Sequence, residues 1–399
     1  MLQILILIAV LISYGSIYPF EFAARELSTQ QFVAFLTALY GPTSLGNVIA
    51  NIVLFVPYGF IAPLALRGRS SGWWELPLIA ALGLVLAVAL QIVQLWIPGR
   101  VPAMGDALLN LAGILVGLGL GVPFERHFDR GTNPALTMMT LAPLLLALAW
   151  VAYRWFPLVP TIDLQNVKNA LKPLLQRHID PVRVVHDVVA WLAFFRLLAF
   201  TPARALAPPW LGAGAVAIVA LQPLFVGNAV SANNVAGLAL ALACLPLLSK
   251  HFASALVVAA IFVVLALTAL HPFTLTTLPN TFHWIPFTGY LDGSMATNAL
   301  NLLHKSFLYG TAVFLLRDCG SRPLASALTV AMWLALLEAA QIWIVGRTAE
   351  ITDPLYALML AWIISRLGTA SPAVGARSHR RLHDSSPRIR SAQSGSPST

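Results

Sequence analysis

Apolar residues dominate this chain in long runs, broken by short polar stretches. Runs of roughly spanning length cover 2–18, 46–66, 76–97, 107–123, 135–152, 184–200, 210–226, 233–249, 252–270, 297–316, 324–345 and 353–367. A helix crosses a hydrocarbon core of about 30 Å with about 20 residues, so these runs predict twelve membrane helices, several of them short. Short alternating segments, the mark of a membrane β-barrel, are absent from the pattern. The expected fold class is all-α, a polytopic transmembrane helical bundle.

Composition agrees: 58% of the 399 residues are hydrophobic and 10% are charged, where a soluble domain has about a quarter charged. The formal charge of +9 raises nucleic acid as a partner, but the placement of the basic residues argues for topology instead. Five arginines fall within 377–390, and most of the others sit in short loops. With the N-terminus in the cytoplasm, the inside loops carry Arg67, Arg69, Arg126, Arg130, Arg196, Arg204, Lys250, Arg317 and Arg322, as the positive-inside rule requires. The first run lacks the basic flank of a secretory signal and reads as a retained helix. Residues 369–399, rich in Ser, Pro and Arg, read as a disordered cytoplasmic tail. Segment 153–183 departs from the charge rule and is expected to be an amphipathic helix on the membrane surface, or else a miscounted span. Cys244 and Cys319 form no CxxC pattern, and no Walker loop, HExxH, GxSxG or EF-hand sequence occurs. No cofactor, metal site or redox chemistry is expected.

The polar residues inside the apolar runs repeat. "QLWIPGRVPAMGD" (94–106) matches "QIWIVGRTAEITD" (341–353) at Gln, Trp, Ile, Gly, Arg and Asp with the same spacing. Upstream, "SLGNVIANIVLFVPYGF" (44–60) parallels "SMATNALNLLHKSFLYG" (294–310), and "YPF" (18–20) parallels "HPF" (271–273). A weaker echo, "QPLFVGNAVSANN" (222–234), has Asn228 and Asn234 where the arginine and the aspartate would stand. The expected organisation is three four-helix units, 1–123, 134–250 and 251–367, the central one degenerate with its charge pair neutralised.

The outer two blocks resemble the VanZ-like family, membrane proteins named after a teicoplanin-resistance accessory protein. The resemblance rests on Asn47, Asn51, Phe55, Pro57, Gly59 and Phe60, and on Gln94, Pro98, Gly99, Arg100, Asp106, Asn110, Gly113 and Gly117. Tyr18-Pro19-Phe20 supplies the Pro-Phe element that ends the family's first helix. The last block departs from this pattern, with Val345 in place of the proline and no counterpart of Asn110, so the first copy is the better candidate for any shared activity.

A charge within a membrane helix costs roughly 2.5–3.5 kcal/mol on insertion scales, so it is normally paired or turned to a polar cavity. Arg100 and Asp106 are expected to flank a turn, pairing with each other while Arg100 also reaches a phosphate. Gln91 with Gln94, and Glu338 with Gln341, share a helical face, and Asn47 and Asn51 are one turn apart. If these faces converge, Arg100, Asp106, Gln94, Asn51 and Asn47 form one polar site, with Arg347, Asp353, Gln341 and Glu338 as the second. The competing reading is structural, since amides serve as interhelical glue worth about 0.6 kcal/mol each and an Arg–Asp pair can lock a turn. The glycines of "LAGILVGLGLGV" read as packing positions. His186-Asp187 reads as a helix start with a capping aspartate, the alternative being a proton relay. Lys305 either snorkels or pairs with Glu338.

The resemblance implies a non-enzymatic protein of the bacterial inner membrane, with both termini cytoplasmic. Its expected partner is an envelope lipid, a lipid-linked glycan or a glycopeptide near the outer leaflet. Alternatives are a transporter or flippase, though no carboxylate ladder stands out inside the helices, and a membrane-embedded enzyme acting on a lipid-linked sugar, though no nucleophile or base stands beside Arg100.

Overall fold

A computed structural model describes residues 1–23, 28–38, 45–66, 74–129, 134–175, 179–291 and 295–368. The tail 369–399 and the loop arginines Arg67, Arg69 and Arg130 lie outside them. Among the described residues the protein is all-helical apart from one pair of two-residue strands. Each of the twelve apolar runs forms a helix: α1 (Leu2–Ile17), α3 (Leu45–Leu66), α4 (Glu75–Gln94), α5 (Met104–Asp129), α6 (Pro134–Trp155), α8 (Pro181–Leu198), α9 (Pro208–Ala220), α10 (Ala232–Ala243), α11 (Ala253–Leu270), α13 (Met295–Asp318), α14 (Pro323–Gln341) and α15 (Thr352–Gly368). Three further helices lie between the runs: α2 (Thr29–Thr37), the amphipathic α7 (Leu164–Leu175) expected within 153–183, and the short α12 (Thr288–Leu291). Six helices are long and apolar enough to cross a membrane by themselves, within α3, α4, α5, α11, α13 and α14.

Two apolar cores organise the bundle. One joins α1, α3, α4 and α5 around Phe55, Tyr58 and Ile114; the larger lies mostly in the helices after α5, around Trp150, Trp191, Phe307 and Ile261, and takes in Ile4 of α1. Lipid tails are as apolar as these side chains, so close packing and interhelical hydrogen bonds must hold the helices together. The tightest contact is between α3 and α5, which run parallel. A methyl group at Gly113 would lie 2.1 Å from the carbonyl oxygen of Ile52, and one at Gly117 would lie 2.3 Å from that of Val56. Only glycine admits such an approach, and the packing role expected of these glycines is what the structure gives them.

Helices α8 and α10, and α13 and α15, pack as the corresponding pairs further along the chain. At one end of the bundle Arg196 donates to Ser254 Oγ at 2.7 Å and to Asp318 Oδ2 at 3.0 Å, joining α8, α11 and α13. At the other end lie the turns that precede α5, α10 and α15. There the strands β1 (Phe282–His283) and β2 (Ala349–Glu350) pair in parallel, and Tyr14 Oη donates to the carbonyl of Pro286 at 2.7 Å, bringing the first and last turns to the same end.

Candidate functional site

The three turns share one backbone geometry. Gly99, Gly227 and Gly346 have φ of 78°, 72° and 70°, a left-handed conformation that favours glycine. Ile97, Phe225 and Ile344 donate their amides to Gln94, Gln222 and Gln341 respectively, each at 3.0 Å. Arg100, Asn228 and Arg347 donate theirs to Ile97, Phe225 and Ile344, each at 3.3 Å. A neighbouring segment closes each turn: Ala23 N bonds to Trp96 O at 2.8 Å, Thr161 N to Leu224 O at 2.7 Å, and Thr276 N to Trp343 O at 2.9 Å. Those segments follow Pro19, Pro157 and Pro272, each joined by a cis peptide bond to the residue before it and followed by a residue of positive φ, Phe20, Leu158 or Phe273.

The side chains divide differently from the sequence expectation. Arg100 and Asp106 do not pair. Arg100 is exposed and donates Nη2 to the carbonyl of Tyr18 at 3.1 Å, while Gln94 Nε2 donates to Ser16 O at 2.9 Å. Both satisfy carbonyls at the end of α1, which α1 itself cannot do because its last four carbonyls have no helical partner. The five intervening residues turn the arginine outward and place the aspartate in the first turn of α5. There Asp106 is half-buried and accepts from Asn51 Nδ2 at 3.1 Å. Gln91 is buried and accepts the amide of Ala103 at 3.3 Å. The expected single cluster is therefore two small groups around one turn: Gln94 with Arg100, and Asn51 with Asp106. Among the described residues Asp106 has no cationic partner within ion-pair distance. The Asn47 side chain lies outside the described atoms.

The last turn uses the same positions with more charge. Arg347 donates Nε to His271 O at 2.6 Å and Nη2 to Thr268 O at 2.5 Å. Glu338 stands where Gln91 does and accepts the amide of Glu350 at 2.9 Å. Gln341 is buried, and Asn280 Nδ2 donates to its carbonyl at 3.1 Å. Asp353, also buried, accepts from Lys305 Nζ at 2.6 Å and from Tyr309 Oη at 2.7 Å. Lys305 thus pairs with Asp353, not with Glu338 as expected. Sequence reasoning passed over Tyr309; its spacing of four from Lys305 on α13 was the available signal.

The middle turn keeps a charge pair, contrary to expectation, on other helices. Asn234 Nδ2 donates to Asp187 Oδ2 at 2.7 Å, so the carboxylate has moved from the fourth helix of the set to the second. Its cation, Arg154 Nη1, lies 3.6 Å away at the end of α6, and both side chains are under 10% exposed. Arg154 is also covered by the rings of Trp150 and Trp191 at 5.2 and 5.8 Å. Asp187 is therefore not a helix cap; that role falls to Asp180, whose side chain accepts from Val182 N at 2.9 Å. The burial of three carboxylates, Asp187 and Glu338 inside helices and Asp353 in the first turn of α15, went unrecognised in the sequence. No group of three His, Cys, Asp or Glu able to hold a metal ion occurs among the described residues.

Helices of this length and apolarity define a polytopic helical membrane protein. Within it, residues 2–124, the segment from α1 through most of α5, match the family model described as VanZ/LLP1. No curated protein and no solved structure matches the chain.

Proposed function

We propose that the protein is an integral membrane protein of the bacterial cell envelope that holds the headgroup of a membrane lipid or lipid-linked glycan at its first turn. One contrast carries this reading. At the last turn Arg347 is spent on two carbonyls, and Asp353 is neutralised by Lys305. Among the described residues, Arg100 at the first turn makes one bond of the five N–H groups an arginine offers, and Asp106 meets a neutral amide and no cation. The first turn therefore has an exposed cation and a half-buried anion that do not neutralise each other. A headgroup carrying a phosphate beside an ammonium satisfies both, the phosphate in the arginine fork and the ammonium on the carboxylate.

The surroundings suit an interface. Val101 is 90% exposed, Ile162 96% and Trp284 74%, all at the end where the turns lie, and apolar and aromatic side chains at such an edge seat in the headgroup region. In the cytoplasmic membrane, with both termini inside, this end faces the outer leaflet and the arginine-rich loops face the cytoplasm. The shared turn bonds support reading 1–123, 134–250 and 251–367 as three units of one design.

The test is mass spectrometry of lipid co-purified with wild type, Arg100→Ala, Asp106→Asn and Arg347→Ala. The first two substitutions lose most of the bound lipid, and the third retains it. Equal profiles for all four would leave the turn a packing device. Displacement of the lipid by an added glycopeptide would identify that class as the occupant.

A second reading, transport of a small amphiphile, is favoured by the buried carboxylates Asp187, Glu338 and Asp353. Movement of a labelled lipid across proteoliposomes, lost on Asp353→Asn, would select it over static binding.

A further inference from the structure

His186 on α8 and His304 on α13 are 118 residues apart and face each other with their Nε2 atoms 2.6 Å apart. His186 Nδ1 lies 3.2 Å from Asp187 Oδ1, and the other oxygen of Asp187 accepts from Asn234 at 2.7 Å. The Tyr153 ring stacks on His304 with centroids 4.9 Å apart. Two imidazole nitrogens this close cannot both carry a proton, nor can both be bare, so one N–H lies between them. The carboxylate accepts on the far side, so His186 carries a proton on Nδ1 and accepts at Nε2. His304 then donates from Nε2 and keeps Nδ1 as a free base; these tautomers are assigned from the hydrogen-bond network.

We propose that Asp187, His186 and His304 form a proton-binding relay that joins the middle helices to the last ones and takes up one proton. The incoming proton bonds to His304 Nδ1. The proton on His304 Nε2 passes to His186 Nε2, and the imidazolium that results on His186 donates to Asp187 at one nitrogen and to His304 at the other. Only N–H bonds form and break, and the charge of the pair rises by one. The second proton binds in a separate step at lower pH, because it places two imidazolium rings in contact.

The groups around the pair set its charge balance. From α6, Arg154 and the neutral phenol of Tyr153 face it; from α8, Asp187, with Arg183 one turn away at the surface. From α10 comes the neutral Asn234. On α13 Lys305 is adjacent in sequence but is held by Asp353 of α15 at 2.6 Å, and α11 contributes only uncharged side chains. One carboxylate and one guanidinium therefore offset each other beside the rings, leaving the shared proton to decide the local charge. This relay stands apart from the headgroup reading and does not depend on it.

The test is deuterium exchange at the C2 position of each histidine, followed by mass spectrometry of the full chain in lipid discs across a pH series. In the wild type His186 and His304 titrate with two midpoints separated by at least about 1.5 pH units, as coupled groups do, while the exposed His251 serves as an uncoupled reference. In His186→Gln and in His304→Gln the remaining histidine titrates in one step, its midpoint displaced by more than about half a unit. Equal midpoints in the wild type, or a midpoint unmoved when the partner is replaced, would overturn the proposal. The wild-type measurement decides the matter even if a variant fails to fold.

Discussion

The α-carbon of Gly113 rests against the carbonyl oxygen of Ile52, leaving no room for a side chain between α3 and α5. Gly113→Val forces these helices apart and lowers stability by about 1–3 kcal/mol, the usual cost of overpacking. Gly119→Val is the control, because nothing lies within 4 Å of a methyl group there. Thermal unfolding in detergent should show a lower midpoint for the first variant and an unchanged one for the second.

The two motif arginines are expected to differ in structural weight. Arg347 holds two carbonyls at the end of α11, so Arg347→Ala costs about 1.5–3 kcal/mol, the range for hydrogen bonds to a charged group. Arg100 holds one, from an exposed position, and Arg100→Ala should leave the unfolding midpoint nearly unchanged. That difference makes Arg100→Ala a clean probe of lipid retention, and unfolding curves of both variants check it.

Arg154 and Asp187 should behave as a buried ion pair. Asp187→Ala strands the guanidinium among tryptophan rings and destabilises by about 3–5 kcal/mol, whereas removing both charges with Arg154→Met and Asp187→Leu costs far less. A double-mutant cycle on unfolding free energy measures the coupling; additive losses would refute the pairing.

Tyr290, in α12 beneath the last turn, carries a pH signature. Burial pushes its phenol up to about 12 although Lys305 opposes the shift, against about 10 in an unfolded chain. The folded form holds the proton more tightly, so the stability linked to it is fully present below pH 10 and declines as pH rises toward 12. Unfolding midpoints should fall across that window in the wild type and fall less in Tyr290→Phe.

Much of the helical layout was legible because each span must be continuously apolar, and all twelve runs became helices. The short α2 and α12 were missed because few residues leave no readable period. The turn was legible from the spacing of Gln94, Gly99 and Arg100, since a left-handed glycine at a fixed offset leaves the same trace wherever it occurs. Partners were not. Arg100 reaches a carbonyl 82 residues away, and a carbonyl has no sequence signature. The middle pair was hidden for a related reason: position-by-position comparison found Asn234 in place of an aspartate, while the charge had crossed to Asp187 on the facing helix.

Lys305 has a consequence for stoichiometry. By occupying Asp353 from within the same chain, it acts as a tethered occupant whose local concentration never falls and which free amines cannot displace. On the headgroup reading proposed above, the last turn is thereby closed to a ligand ammonium, and the first turn should saturate at one headgroup per chain without cooperative help from the last.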